Sequence, residues 1–256
     1  MPARPGTVLA LAAILLGSCT STDGADLRIA YLRSRMQGDV GLGPSNGADP
    51  GQRADVADDL GLGDANDSVL LAGVLPTGFG RFGASTFWFD KSGQDTLSGG
   101  FGDLAAGTAV RTETSFRNFK AFWAYDLLRT EHFRVAPGVA LQILDIDLEA
   151  QSLAASAGRE SVELFAPVPM LYVDADARFG DLVIAAQGGG MSIELEDGAG
   201  TYWDFEGRIG FVPREDLEFF AGYRFLSIDA DGEAGSREAD IDLRVDGWFL
   251  GGAYRF

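Results

Sequence analysis

Tyr202-Trp203-Asp204-Phe205-Glu206-Gly207-Arg208-Ile209-Gly210-Phe211-Val212 runs through a Pro213-Arg214-Glu215 turn into Asp216-Leu217-Glu218-Phe219-Phe220-Ala221-Gly222-Tyr223-Arg224-Phe225-Leu226. In the first run Trp203, Phe205, Ile209 and Phe211 share one parity, with Asp204, Glu206 and Arg208 on the other. In the second, Leu217, Phe219, Ala221, Tyr223 and Phe225 oppose Glu218 and Arg224. Successive strand residues point to opposite faces, so a period of two marks a strand with one apolar and one polar face. Two such strands joined by a short turn make an antiparallel hairpin.

The same alternation extends outward in both directions. Phe119, Ala121, Trp123, Tyr125 and Leu127 alternate with Lys120 and Asp126. Ten strands are predicted, over about 26–38, 67–76, 80–92, 108–127, 132–150, 161–178, 181–196, 200–212, 216–231 and 237–256; eight or twelve stay open. Short links at Pro76-Thr77-Gly78-Phe79, Arg129-Thr130-Glu131, Phe179-Gly180-Asp181 and Pro213-Arg214-Glu215 alternate with longer polar ones at 39–66, 93–107, 151–160, 197–199 and 232–236. That rhythm predicts an all-β, antiparallel up-and-down transmembrane β-barrel, with short turns on one side of the membrane and long loops on the other. The large aromatics are expected near the short-turn ends, as an interfacial girdle. A soluble barrel has the same period with its faces exchanged, and this pattern alone does not separate the two.

The end of the chain bears on that choice. Gly251-Gly252-Ala253-Tyr254-Arg255-Phe256 resembles the terminal strand of bacterial outer-membrane barrels, which commonly reads G-x-x-Y-x-F. Trp248, Leu250, Tyr254 and Phe256 share its apolar face, and the resemblance implies that they form the assembly signal read by the barrel insertion machinery. The Asp58-Asp59-Leu60-Gly61-Leu62 segment also resembles one found in outer-membrane barrel proteins of no assigned activity. At the other end, an apolar run from Val8 to Leu16 is too short for a membrane anchor and suits an export signal. Leu16-Gly17-Ser18-Cys19 resembles a lipoprotein lipobox, which implies acylation of Cys19; a conventional signal with an incidental cysteine is the alternative. The expected division is a signal peptide at 1–18, a periplasmic linker at 19–25 and the barrel at 26–256. The expected location is the cell outer membrane, with a lipid anchor at its periplasmic face.

Composition narrows function. The 256 residues include 38 Asp and Glu against 20 Lys and Arg, a formal charge of −18. A body so acidic offers no basic stripe for nucleic acid. Expected partners are outer-membrane lipids and lipopolysaccharide, with divalent cations as a further candidate at the acidic loop residues Asp58, Asp59 and Asp64. No EF-hand spacing is present. Lys120, Arg134, Asp174, Asp176, Arg178, Asp204, Glu206, Arg208 and Arg224 fall on the polar parity and are expected to pair across a narrow lumen.

Catalysis finds little support. Asp204 and Glu206 are two apart on a strand, and His132, the sole histidine, falls in a short turn. Omptin proteases and lipid A deacylases and acyltransferases place their histidine near the outer face. Gly188-Gly189-Gly190 reads as close packing or a bulge. No cofactor is expected. The expected role is structural, surface-interacting or small-pore. The alternatives are a membrane-embedded enzyme acting on lipid or peptide and a soluble, lipid-tethered barrel resembling lipocalins.

If Phe256 carries the assembly signal, truncation at Arg255 should lower barrel yield in the outer membrane while export continues. Burying a Phe contributes roughly 1.5–3 kcal/mol, enough to shift a partitioning step tenfold. Immunoblots of fractionated cells should show unfolded periplasmic chain; undiminished heat-modifiable barrel would remove the residue from that role.

Overall fold

A computed structural model describes residues 24–44, 53–154, 158–195, 198–234 and 237–256. The ten strands of the barrel are β1 (Asp26–Leu42), β2 (Asn66–Thr77), β3 (Gly80–Thr96), β4 (Ala109–Tyr125), β5 (Phe133–Ser152), β6 (Arg159–Phe179), β7 (Leu182–Leu195), β8 (Gly198–Arg214), β9 (Leu217–Ala234) and β10 (Arg237–Arg255). Each pairs antiparallel with its neighbours in sequence, and β10 returns to β1 from Asp26↔Arg255 to Leu42↔Ala239. The sheet is therefore a closed up-and-down barrel of ten strands. Several strands run farther toward the long loops than the sequence suggested, because the ladder continues where the alternation weakens. The segment expected as the first long loop is partly ordered: Arg53–Asp55 pairs with Asp39–Gly41 of β1.

Which parity faces outward follows from burial, and the chemistry of the two faces exchanges partway up most strands. On β5 the outward residues Val139 and Leu141 are exposed and Ile143 half-buried, and above them stand Asp145, Asp147 and Glu149. Inside the same strand, buried Arg134 and Gln142 give way to buried Leu144, Ile146 and Leu148. On β10, Tyr254, Leu250 and Trp248 point outward below Asp246, Arg244 and Asp242, while Val245, Leu243 and Ile241 are buried behind them. The lower part is thus apolar outside and polar inside. The upper part is a soluble-type barrel, polar outside and apolar inside.

The exposed belt is bounded by aromatics on both sides. Tyr31, Trp88, Phe165, Trp203 and Trp248 mark its upper edge, and Phe79, Phe82, Tyr125, Phe133, Phe179, Phe211, Phe219 and Phe256 its lower edge. The expectation of a girdle at the short-turn ends alone is corrected: there are two rings, as a slab with two polar interfaces requires. From Trp203 to Phe211 the outward face spans eight steps of about 3.3 Å, reduced to a height of about 20 Å by a tilt near 40°.

The upper interior is filled by Leu32, Met36, Phe87, Phe89, Phe116, Leu144, Leu226 and Phe249, together with loop residues Leu60, Leu62, Leu97 and Phe101. Phe89 and Phe116 stack at 5.0 Å between ring centroids. Gly61, at φ +67°, makes the tight turn that brings the first loop against Gln94, and the Lys91 ammonium donates to the carbonyls of Leu62 and Asp64. Over the top, the Gly102 N–H donates to the Leu42 carbonyl (3.0 Å), the Asp103 N–H to Glu160 Oε1 (3.1 Å), and Arg237 reaches Glu160 from β10.

Ladders differ in length. β5 and β6 pair over nineteen residues, whereas β6 and β7 pair only from Leu171↔Gly190 to Phe179↔Leu182, nine residues. Above that point β6 carries Pro167 and Pro169, which offer no N–H and suit an edge without a partner. The three glycines 188–190 continue the β7–β8 ladder without a bulge, and a Cβ at Gly190 would sit 2.4 Å from the Trp203 ring. Of the two readings of that triplet, close packing holds.

Placing a charge on the belt should be far more damaging than placing one above it. Leu250→Arg should lower stability by about 2–4 kcal/mol, and Ser115→Arg, outward but above the upper ring, by no more than about 0.5 kcal/mol. Denaturant unfolding of the refolded protein in lipid vesicles reads both; equal effects would contradict the assignment of the belt.

Candidate functional site

The side chains most concentrated in chemistry are the charged groups inside the lower barrel. Lys120 on β4 reaches across to β8, with Nζ 2.9 Å from Asp204 Oδ2, and both side chains are 1% exposed. Arg224 on β9 shares that carboxylate at 3.1 Å and extends to Glu206 at 3.5 Å. Glu206 and Arg224 are direct cross-strand neighbours, so their pairing is set by register. Two rings complete the cage. The Arg224 guanidinium lies 4.9 Å from the Phe87 ring centroid, and Lys120 Nζ lies 5.6 Å from that of Tyr172. The Tyr172 hydroxyl donates to Gln187 Oε1 at 2.6 Å.

A second cluster lies toward the short turns. Arg134 on β5 faces Asp176 of β6 in register and bonds it, reaches Asp174 Oδ2 at 2.8 Å, and approaches Asp126 at 3.4 Å. Arg81 on β3 approaches the same Asp174 at 3.6 Å. Arg208 pairs with Glu218 at 2.8 Å, and Arg28 with Asp26 at 2.8 Å. Between the groups is a cavity of about 20 Å³, lined by Arg28, Arg81, Asp174, Gln187, Glu206 and Arg208 among others. That is room for about one water molecule. Interleaved opposite charges pair across the narrow interior, while Asp204 Oδ1, Arg224 Nε and Arg81 Nε are buried without a hydrogen-bond partner.

Eight of the nine charges expected in the lumen are there. Arg178 is not: it is exposed at the β6–β7 turn, where its Nε donates to the Gly180 carbonyl at 3.2 Å. It has the inward parity, but it stands at the strand end, where the wall no longer encloses it. Sequence reading missed Asp26, Arg28 and Arg81, although parity opposite to that of the outward Leu27 and Phe82 marks all three as inward; Glu218, read on the polar face of its strand, is inward too.

The acids of the first loop do not converge on a cation. Asp59 is buried and accepts from Ser98 N and Oγ and from the Asp55 N–H, at 2.9–3.0 Å, so it fixes the loop. Asp58 and Asp64 are exposed, and among the described residues no three metal-ligating side chains gather at one point. His132 is exposed in the β4–β5 turn, apart from the buried acids, and its carbonyl accepts from Arg178 N. The paired carboxylates Asp204 and Glu206 are both held by cations, Asp204 by Lys120 and Arg224 and Glu206 by Arg224. Trp248, Leu250, Tyr254 and Phe256 all face outward at 45–63% exposure. Residues 1–18 and Cys19 lie outside the described residues, as does most of the linker at 19–25. The Phe256 N–H donates to the Ala25 carbonyl, which puts the start of the barrel beside its end.

No protein-family model and no characterised protein sequence matches this chain. Solved structures share its barrel form. Ail, the attachment invasion locus protein of Yersinia pestis, is 13% identical, with 92% of this chain covering 100% of that one at a TM-score of 0.40. The P. putida toluene transporter TodX is 10% identical over 92% and 91% of the two chains at 0.35. The transport unit of the autotransporter AIDA-I from Escherichia coli is 9% identical over 98% and 97% at 0.45. Attachment and toluene transport belong to those proteins and are not carried to this one.

Removing one member of the central cluster should strand buried charge. Arg224→Ala should lower stability by about 3–5 kcal/mol by leaving Asp204 and Glu206 under-paired. Arg178→Ala should change it by no more than about 0.5 kcal/mol. Unfolding midpoints of the two variants in vesicles make the comparison; similar midpoints would show that the central cluster does not carry structural weight.

Proposed function

We propose that the chain is a non-enzymatic outer-membrane barrel whose bore is closed, and that it acts as a structural and surface-presenting element of the cell envelope. The observation that carries this is the exchange of faces along most strands. An apolar belt about 20 Å high, edged by aromatics on both sides, suits a lipid slab, and the polar wall above it suits the aqueous exterior. A lipocalin-like soluble barrel would instead leave Leu171, Phe165, Leu250 and Ile29, all more than half exposed, in water.

The filled interior favours a presenting role over a pore. Charge pairs occupy the lower bore, and aromatic and aliphatic side chains occupy the upper. An enzymatic role on lipid or peptide finds less support, because Asp204 and Glu206 are buried against cations and the exposed His132 stands apart from them in the β4–β5 turn. In this reading residues 1–18 direct export, Cys19 is acylated on the periplasmic side near the barrel's ends, and the Trp248–Phe256 face is read by the insertion machinery.

Refolded protein should migrate differently on denaturing gels before and after boiling, because a closed barrel resists detergent. In planar bilayers the same preparation should give no stable unitary current. Discrete conductance steps from heat-modifiable protein would replace the plug with a pore.

A further inference from the structure

Just above the belt's upper edge the outer wall is acidic over much of its circumference. Asp90, Glu113, Asp147, Glu149 and Glu163 line one continuous shallow depression across β3 to β6. At the closing seam the sign reverses. Arg33 and Arg35 of β1 and Arg244 of β10 all point outward and are exposed. The register is Arg33↔Trp248, Arg35↔Asp246 and Gln37↔Arg244. Cross-strand neighbours have Cβ atoms about 4.5–5.5 Å apart, so three guanidinium groups reach one small patch.

The patch is placed by the aromatics beneath it. Tyr31 and Trp248 pack edge to face at 5.7 Å between centroids, and both belong to the upper ring. Aromatic rings of that kind lie at headgroup level, so side chains one step higher stand at the depth of lipid phosphates. The local acids are engaged. Asp67 accepts from the Tyr31 hydroxyl, and Asp246 accepts from the Tyr223 hydroxyl and from Arg244 Nε at 2.8 Å. Arg33 stands opposite Asp67 across β1 and β2 and bonds the Tyr31 hydroxyl, and among the described residues no carboxylate forms an ion pair within 4.0 Å of Arg33 or Arg35. Their planar forks match the oxygens of a phosphate. Farther out, Asp39, Asp229, Asp231, Asp240 and Asp242 restore the negative sign, which confines an anion to the one basic level.

We propose that Arg33, Arg35 and Arg244 form a docking site for a phosphate group of an outer-leaflet phosphoglycolipid, with Tyr31 and Trp248 supporting the lipid below the phosphate. This rests on the outer-membrane reading for its orientation, while the binding itself needs only the folded barrel.

The test uses the full chain refolded in zwitterionic detergent, with folding checked by heat-modifiable mobility. Native mass spectrometry compares bisphosphorylated lipid A with its dephosphorylated form. The phosphorylated lipid should bind at least tenfold more tightly. Arg33→Gln/Arg35→Gln should remove most of that preference, and Arg117→Gln on the acidic side should leave it unchanged. Equal binding of the two lipids by the wild-type chain, or a preference that survives the double substitution, overturns the proposal. So does displacement by millimolar inorganic phosphate, which would mark a free-anion site. Because heat-modifiability and membrane fractionation are read separately, a failure of binding is distinguishable from a failure of the barrel assignment.

Discussion

The ladder between β1 and β10 is the contact on which the remaining structure depends. Seventeen residue pairs join the first strand to the last, and without them the sheet would expose two edges. In a hydrocarbon slab each unpaired backbone group costs several kcal/mol, so only a closed sheet is tolerated. Closure also creates an inside, and the charged pairs, the apolar upper core and the lid over the top all occupy space that exists only because the ends meet. The glycines of the last strand serve that ladder. Gly247 and Gly251 sit so close to β1 that a Cβ would come within 2.2 Å of the carbonyls of Arg33 and Ile29.

Once the wall is closed, the solvent on each side decides what each parity must be. Lipid outside demands an apolar outer face, and the inward positions then carry charges that neutralise one another. Water outside permits the reverse, and the inward positions then form an ordinary hydrophobic core. This chain does both, one above the other, and changes over within one or two residues on most strands. Ile143-Leu144 on β5 and Phe225-Leu226 on β9 are adjacent apolar pairs at the changeover, one facing out and one facing in.

Those pairs explain what was legible in the sequence. Period-two alternation depends only on local geometry, so the strand count, the meander and the short turns could be read from residues such as 202–226. The lumenal charges were readable as a parity, and eight of the nine side chains lie on the inner face of the wall. Their partners were not, because Lys120 meets Asp204 across the barrel at a separation of 84 residues, which no local pattern encodes. Arg178 misled because parity says nothing about where a strand ends. The upper core was missed for a related reason: alternation was read as one pattern per strand, and a change of phase at Ile143-Leu144 looks like mere irregularity until the faces are known. Asp59 likewise looked like one of several loop acids, and only the fold of the loop puts Ser98 beside it.

The uneven ladders give the cylinder a mechanical character. A hoop under lateral load yields at its least continuous join, and here the upper half of the wall is interrupted between β6 and β7, where Pro167 and Pro169 withhold donors. The comparable gap above Leu71↔Thr86, between β2 and β3, is bridged by the loop around Gly61, so it is braced from within. The wall therefore has a stiff side, centred on the β5–β6 and closing ladders, and a compliant line beside β7. Deformation of the wall above the belt would be taken up along that line, as a slit barrel flexes at its slit while the rest of its circumference keeps its shape.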